Sequence, residues 1–291
     1  MNAGLESFLA RAEALIARLE PLLPPAPAAV DWSSTLACRW RRTQLAGWLE
    51  PVRVLDCPPW EALRHIDEQK AALDRNTRQF VLGLPANNAL LVGSRGCGKS
   101  SLIKALLPRY AKQGLRLVEV DKADLTDLPH IVERLAGLPQ RFVLFADDLS
   151  FEAFEPAYKP LKAALDGSVA GLPDNVLIYA TSNRRHLIPE YFAENAASER
   201  LGGEVRPTDS TEEKLSLSDR FGLMLTFYPF DQDAYLDIVT AWVVALGGRV
   251  TPAMRSEALQ WAIQRGSRSG RIARQFAADW VGRRGLRGRS R

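Results

Sequence analysis

A chain of 291 residues with 46% hydrophobic and 25% charged side chains can bury a real core, which excludes the disordered, collagenous and disulfide-scaffold classes. No apolar run reaches the roughly 18 residues of a membrane span, and the first residues (Met1-Asn-Ala-Gly-Leu-Glu) lack the basic region and apolar core of a signal peptide, so no membrane association is expected. The formal charge of +4 is uneven: residues 151–230 carry twelve acidic and eight basic side chains, whereas residues 231–291 carry eleven arginines and five acidic ones.

Taken in order, Leu5, Phe8, Leu9, Ala12, Leu15, Ile16 and Leu19 recur at helical spacing, which predicts an amphipathic helix over 4–20. Pro21, Pro24, Pro25 and Pro27 end it as a stiff connector. Trp32, Trp40, Trp48 and Trp60 crowd the next segment and are read as packing an N-terminal cap. Helical periodicity returns over 61–80. From residue 89, strands and helices alternate, the pattern of a parallel sheet covered on both faces. Strands are expected at Ala89–Val92, Leu115–Val120, Phe142–Ala146, Val176–Thr181 and Gly222–Tyr228. Helices are expected at Lys99–Lys112, Leu125–Leu135 and Glu155–Leu165, then at Ala234–Leu246, Pro252–Arg265 and Gly270–Arg283. The expected organisation is an N-terminal accessory region (1–60), an α/β nucleotide-binding domain (61–230), a helical domain (231–285) and a basic tail (286–291). The run from Arg283 onward reads as a disordered basic tail, able to touch nucleic acid or an acidic partner. Cys38, Cys57 and Cys97 share no metal-ligand spacing and fit a reducing cytoplasm.

One stretch organises the rest. Gly93-Ser94-Arg95-Gly96-Cys97-Gly98-Lys99-Ser100 fits G-x-x-x-x-G-K-[ST] and sits between the apolar run Ala89–Val92 and the helix-forming run Leu102–Leu107, with Ser101 counted among the cofactor-binding candidates. Gly93 lets the chain leave the strand, and Gly96 and Gly98 let successive N–H groups turn inward around a phosphate oxygen. Lys99 then reaches the β- and γ-phosphates, Ser100 can ligate Mg²⁺, and the new helix adds its dipole. Cys97 is read as a small filler.

A second strand, Arg141–Ala146, ends in Asp147-Asp148. At the carboxyl edge of a parallel sheet such a pair lies beside the phosphate loop. Asp147 can hold the magnesium and Asp148 can polarise the attacking water, with Glu152 as the alternative base. A third strand ends in Ser182-Asn183-Arg184-Arg185, where the Asn183 amide can orient the lytic water.

A phosphate loop, an Asp-Asp strand, a Thr-Ser-Asn strand, Asp219-Arg220-Phe221-Gly222 and Gly270-Arg271 in a helical segment together resemble the AAA+ ATPases over about residues 60–285. Asn76–Phe80, Ala86–Asn88, Asp147–Glu152, Ala180–Leu187 and Glu213–Gly222 are similar to a bacterial AAA+ subfamily of unassigned cellular role. The resemblance implies an α/β P-loop core with a five-stranded parallel sheet, a C-terminal helical lid and an N-terminal helical accessory region. It matches Lys99 and Ser100 to Walker A, Asp147 and Asp148 to Walker B (in an Asp-Asp form) and Asn183 to sensor 1. Arg220 resembles the arginine finger, Arg271 the sensor 2 arginine, and Ile66–Lys70 the segment lining the adenine pocket.

A finger acting on a neighbour's γ-phosphate implies a homo-oligomeric ring or filament, with a hexamer expected. The loop Asp121–Asp127 lacks the aromatic of protein-threading unfoldases, and the polar insert Glu190–Glu213 is long enough to contact a partner. The expected activity is Mg²⁺-dependent ATP hydrolysis that remodels a protein or nucleic-acid client. The alternative is a slow-hydrolysing switch or loader whose nucleotide state controls assembly.

Overall fold

The computed structural model describes residues 8–15, 29–43, 46–149, 158–165, 172–183 and 219–289. The chain divides into two units, Met1–Asp31 and Trp32–Arg291. The first contains a helix over 8–15 (α1). The second holds the sheet and the remaining helices.

Three strands set the frame: β3 (Ala89–Gly93), β5 (Arg141–Ala146) and β6 (Val176–Ser182). Every residue of β3 and β6 is buried, and so is β5 after Arg141. Strands apolar on both faces need cover on both faces, and parallel pairing supplies it through crossover helices. With β4 (Leu115–Glu119) and β7 (Leu223–Phe227) they form the expected parallel sheet.

The sheet is larger than five strands. Ala37–Arg42 (β1) and Gly47–Pro51 (β2) form an antiparallel hairpin, and β1 joins β4 in parallel, giving seven strands ordered β2-β1-β4-β5-β6-β3-β7. The tryptophan-rich segment is therefore a sheet extension, not a separate packed cap. Cys38 and Trp40 point inward, while Arg39 and Arg41 reach Glu119 and Glu50 at 2.8 Å. This is the alternation of a strand with one face on the core and the other in solvent. Trp40 also donates to Asp127 at 3.1 Å, tying Asp121–Asp127 to the hairpin; that loop is a 3-10 turn over Lys122–Asp127 with Leu125 buried.

The helices around the sheet are α2 (Asp67–Val81), α3 (Lys99–Tyr110), α4 (Leu128–Leu135) and α5 (Tyr158–Leu165). Three more follow the last strand: α6 (Gln232–Ala245), α7 (Pro252–Gln264) and α8 (Gly270–Arg289). Asp231, Thr251 and Ser269 cap these by accepting from Ala234, Met254 and Ile272 at 2.8, 3.2 and 3.3 Å. Each such cap is worth about 1 kcal/mol. Their shared core centres on Tyr235, Val239, Phe276 and Trp280 and takes in Ala62 from the segment before α2. Residues 283–289 continue α8 as helix, where a disordered tail was expected. No helix among the described residues is long and apolar enough to cross a membrane.

Candidate functional site

Strand register decides what meets at the carboxyl edge. Ala146 pairs with Ala180, and Val92 pairs with Ser182. Asp147, Thr181, Asn183 and Gly93 therefore emerge side by side. The loop after Gly93 turns through positive φ at Gly93, Gly96 and Gly98 (138°, 76° and 99°) before α3 starts. Gly93 is constrained twice, because a Cβ there would collide with the Phe227 carbonyl oxygen.

Lys99 is buried, and its ammonium donates at 2.8 Å to three acceptors: the Gly93 carbonyl, the Ser94 carbonyl and Asn183 Oδ1. All three of its protons are thus placed. None of the acceptors is anionic, so the charge is solvated by dipoles and not cancelled. Burial lowers the Lys99 pKa from its usual value, opposed by Cys97 and by the Asp147 and Asp148 carboxylates. A buried cation held by neutral oxygens is a site that an anion can stabilise.

Asn183 faces both ways. Its oxygen accepts from Lys99, and its amide nitrogen donates to Asp148 Oδ1 at 2.5 Å. Arg95 approaches the other Asp148 oxygen at 3.7 Å from the loop. Asp147 Oδ1 accepts from Ser100 and from Thr181, each at 2.6 Å. A hydroxyl beside a solvent-facing carboxylate is a hard oxygen pair of the kind Mg²⁺ takes, with its remaining positions left to water and phosphate. Asp148 itself adopts φ 54°, a left-handed conformation uncommon outside glycine.

These residues open on a cleft of about 450 Å³, within the range of small-ligand pockets. Arg95, Gly96, Cys97, Gly98, Lys99, Ser100, Ser101, Asp147, Asp148, Asn183 and Arg271 all line it. Cys97 is buried and packs into the core. Gly93 and Ser94 take part through their carbonyls. The far wall is apolar, built from Ala62, Leu63, Ile66, Phe230, Ile238 and Trp242. Of the expected segment Ile66–Lys70 only Ile66 lines the cleft; the wall comes from the residues just before it. Asp67 already starts α2, whose first turn sends Gln69 to the Thr226 carbonyl at 2.7 Å and Lys70 to the Leu63 carbonyl at 2.9 Å.

The C-terminal helices close the cleft. Gly270 N–H donates to the Gly96 carbonyl at 2.8 Å, so the tip of the phosphate loop rests on the start of α8. Arg274, one turn beyond Arg271, also lines the cleft and pairs with Asp56 at 2.9 Å. That hydrogen bond holds the Asp56 carboxyl below its usual range. Arg64 and His65 reach Asp237 on α6 at 3.1 and 3.0 Å. Burial pushes Asp237 up, but those hydrogen bonds outweigh it and the carboxyl ends lower than usual.

Arg220 does not line this cleft. It precedes β7, which runs parallel to β3 with Leu223 beside Ala89 and Phe227 beside Gly93. Arg220 thus precedes the opposite end of the sheet from the loop, the five residues of β7 spanning ~13 Å in four steps. Glu152, Arg184, Arg185 and the insert 190–213 lie outside the described residues. Sequence assigned no role to Thr181, Trp242, Arg64 or Arg274; the available signals were the Thr-Ser-Asn strand end for Thr181 and, for Arg274, its place one helical turn after Arg271.

A parallel sheet with a glycine-rich phosphate loop, a carboxylate pair on the next strand but one and a three-helix lid defines a P-loop protein with the AAA+ fold. Residues 33–284 match the family described as "Protein of unknown function (DUF815)", and the chain belongs to that family. The fold is shared with a mutant of Thermotoga maritima RuvB, at 15% identity and TM-score 0.50 over 74% of this chain and 61% of that one. It is shared too with the Aeropyrum pernix Orc1 protein in complex with DNA, at 17% identity and TM-score 0.52 over 76% and 60%. The chain therefore spans about three fifths of each of these structures. No curated protein matches it by sequence.

Proposed function

We propose that this protein binds ATP with Mg²⁺ and hydrolyses it as a homo-oligomer, most simply a ring of six, to remodel a macromolecular client. The observation that carries the reading is Lys99, buried with three neutral acceptors in a cleft that also holds Asp147, Asp148 and Asn183. Triphosphate oxygens would replace the carbonyls around Lys99, and the inward N–H groups of the loop would take the β-phosphate. Ser100 and Asp147 would hold Mg²⁺, which neutralises charge developing on the phosphoryl group. Asp148 would accept the proton of the attacking water, with Asn183 fixing that water against the γ-phosphate. The apolar wall from Ala62 to Ile66 with Phe230 and Trp242 suits an adenine ring. Arg271 would meet the same nucleotide's phosphates from the lid, and Arg220 would serve a neighbouring subunit's cleft.

The client is a protein or a nucleic acid. The arginine-rich C-terminal helix, with exposed Arg284 stacked 4.1 Å from Trp280, supports a nucleic-acid contact there, and Orc1, of like fold, binds DNA in its structure. The tethering of Asp121–Asp127 to Trp40 and Arg42 speaks against a threading loop. A second reading, a slow ATP-dependent switch or loader, is favoured by the short Asp148 side chain and its tight bond to Asn183.

The test is ATP binding and steady-state turnover by the full chain, alone and with single-stranded DNA, duplex DNA or unfolded protein. Lys99→Ala should abolish binding or turnover. A wild-type chain without affinity for ATP in magnesium buffer would refute the proposal, and tight binding with turnover that no client stimulates would select the switch.

A further inference from the structure

Thr181 is a fully buried hydroxyl at the penultimate residue of β6, 1% exposed. Valine has nearly its shape and no hydrogen bonds to satisfy, so a buried threonine is favourable only when both its donor and its acceptor are used. Both are used here, and both go to the acidic pair. Thr181 Oγ1 donates to Asp147 Oδ1 at 2.6 Å and accepts from the Asp148 N–H at 2.9 Å. Its carbonyl takes the next N–H, from Leu149, at 2.7 Å, and Ser182 closes the turn by donating to the Leu149 carbonyl at 2.8 Å.

Two consequences follow for the site. Ser100 and Thr181 bond the same oxygen of Asp147. When Ser100 turns towards a metal, Thr181 still fixes the carboxylate's rotation. The second consequence concerns Asp148, whose φ of 54° is a strained left-handed conformation. Bonds from two successive N–H groups to Thr181 hold that conformation and aim the Asp148 side chain at Asn183.

Resting on the ATPase reading above, we propose that Thr181 is a positioning residue for both carboxylates, setting the metal-holding geometry of Asp147 and the strained backbone of Asp148 through one hydroxyl. It is buried and does not line the cleft, so it would act through Asp147 and Asp148, which do line it.

The experiment compares Thr181→Val, which keeps shape and removes the hydroxyl, with Thr181→Ser, which keeps the hydroxyl. For Thr181→Val the expected result is a kcat about 10–100-fold lower and a similar rise in the Mg²⁺ concentration for half-maximal turnover. KM for ATP and ATP affinity measured in EDTA should stay at wild-type values. Amide hydrogen exchange at Asp148 and Leu149 should quicken in the nucleotide-free protein, a readout independent of activity. Thr181→Ser should restore all three quantities to within about threefold. If Thr181→Val unfolds, Thr181→Ala must give the same Mg²⁺ shift. Wild-type Mg²⁺ dependence and exchange in a folded Val or Ala variant would overturn the assignment while leaving the ATPase reading intact. A wild-type chain that neither binds nor hydrolyses ATP would overturn that reading, and the role of Thr181 with it.

Discussion

The amide of Asn183 joins the two charges of the cleft: it accepts from Lys99 at 2.8 Å and donates to Asp148 at 2.5 Å. A cation on one side and a carboxylate on the other fix which end is oxygen, since neither bond survives a flip. Lys99 and Asp148 are thereby linked without touching.

Removing that link is the first prediction. Asn183→Ala should leave ATP affinity within about threefold and lower turnover about 100-fold, the usual scale for losing one positioned donor at a reacting centre. Nucleotide titration followed by single-turnover kinetics measures both; equal loss of binding and rate would instead assign Asn183 to ground-state contact.

Asp148 allows a cleaner substitution than its strained backbone suggests. Asparagine tolerates the left-handed region and keeps the hydrogen-bonding shape, so Asp148→Asn should fold normally, bind ATP and lose at least ~100-fold in turnover. Asp148→Ala should lose about 1 kcal/mol of stability in urea as well. Normal turnover in the Asn variant would shift the base to Glu152.

Arg220 precedes the opposite end of the sheet from its own phosphate loop, so its effect should depend on assembly. Arg220→Ala and Lys99→Ala are each expected to be inactive alone. Mixed, they would form, on the proposed assembly, interfaces in which an intact cleft faces an intact Arg220, and part of the activity should return. Activity that stays absent at every mixing ratio would exclude a role in trans.

Alkaline pH supplies a stability prediction. Burial pushes Cys38, Tyr179 and Tyr235 up to about 12. The folded chain then keeps protons that the unfolded chain sheds from about pH 9 upward, so unfolding releases protons and stability falls as pH rises from 9 towards 12. Urea melts at pH 8, 9.5 and 11 should show a declining midpoint. Cys38→Ala should flatten the decline, and an unchanged slope would place the linkage on the tyrosines alone.

Much of the site could be read in advance because it is local. The glycines, Lys99 and Ser100 are contiguous, and their spacing follows from the size of a phosphate. The strand preceding Asp147 and Asp148 is a hydrophobic run that needs no partner to be recognised. The lid helices were legible for the same reason: starts expected at Ala234, Pro252 and Gly270 are found at Gln232, Pro252 and Gly270. The hairpin over Ala37–Pro51 was not, because β1 alternates inward Cys38 and Trp40 with outward Arg39 and Arg41, whose partners Glu119 and Glu50 come alongside only in the folded sheet.

Local chemistry settled that a phosphate loop, two carboxylates and an amide each end a buried strand. Only folding decided which of them touch. Thr181 reaches Asp147 because Ala146 pairs with Ala180, and the wall at Ala62–Ile66 meets the lid where Ala62 packs into its core and Arg64 pairs with Asp237. Register is a property of two strands at once, and a one-residue slip would turn Thr181 to the other face of the sheet.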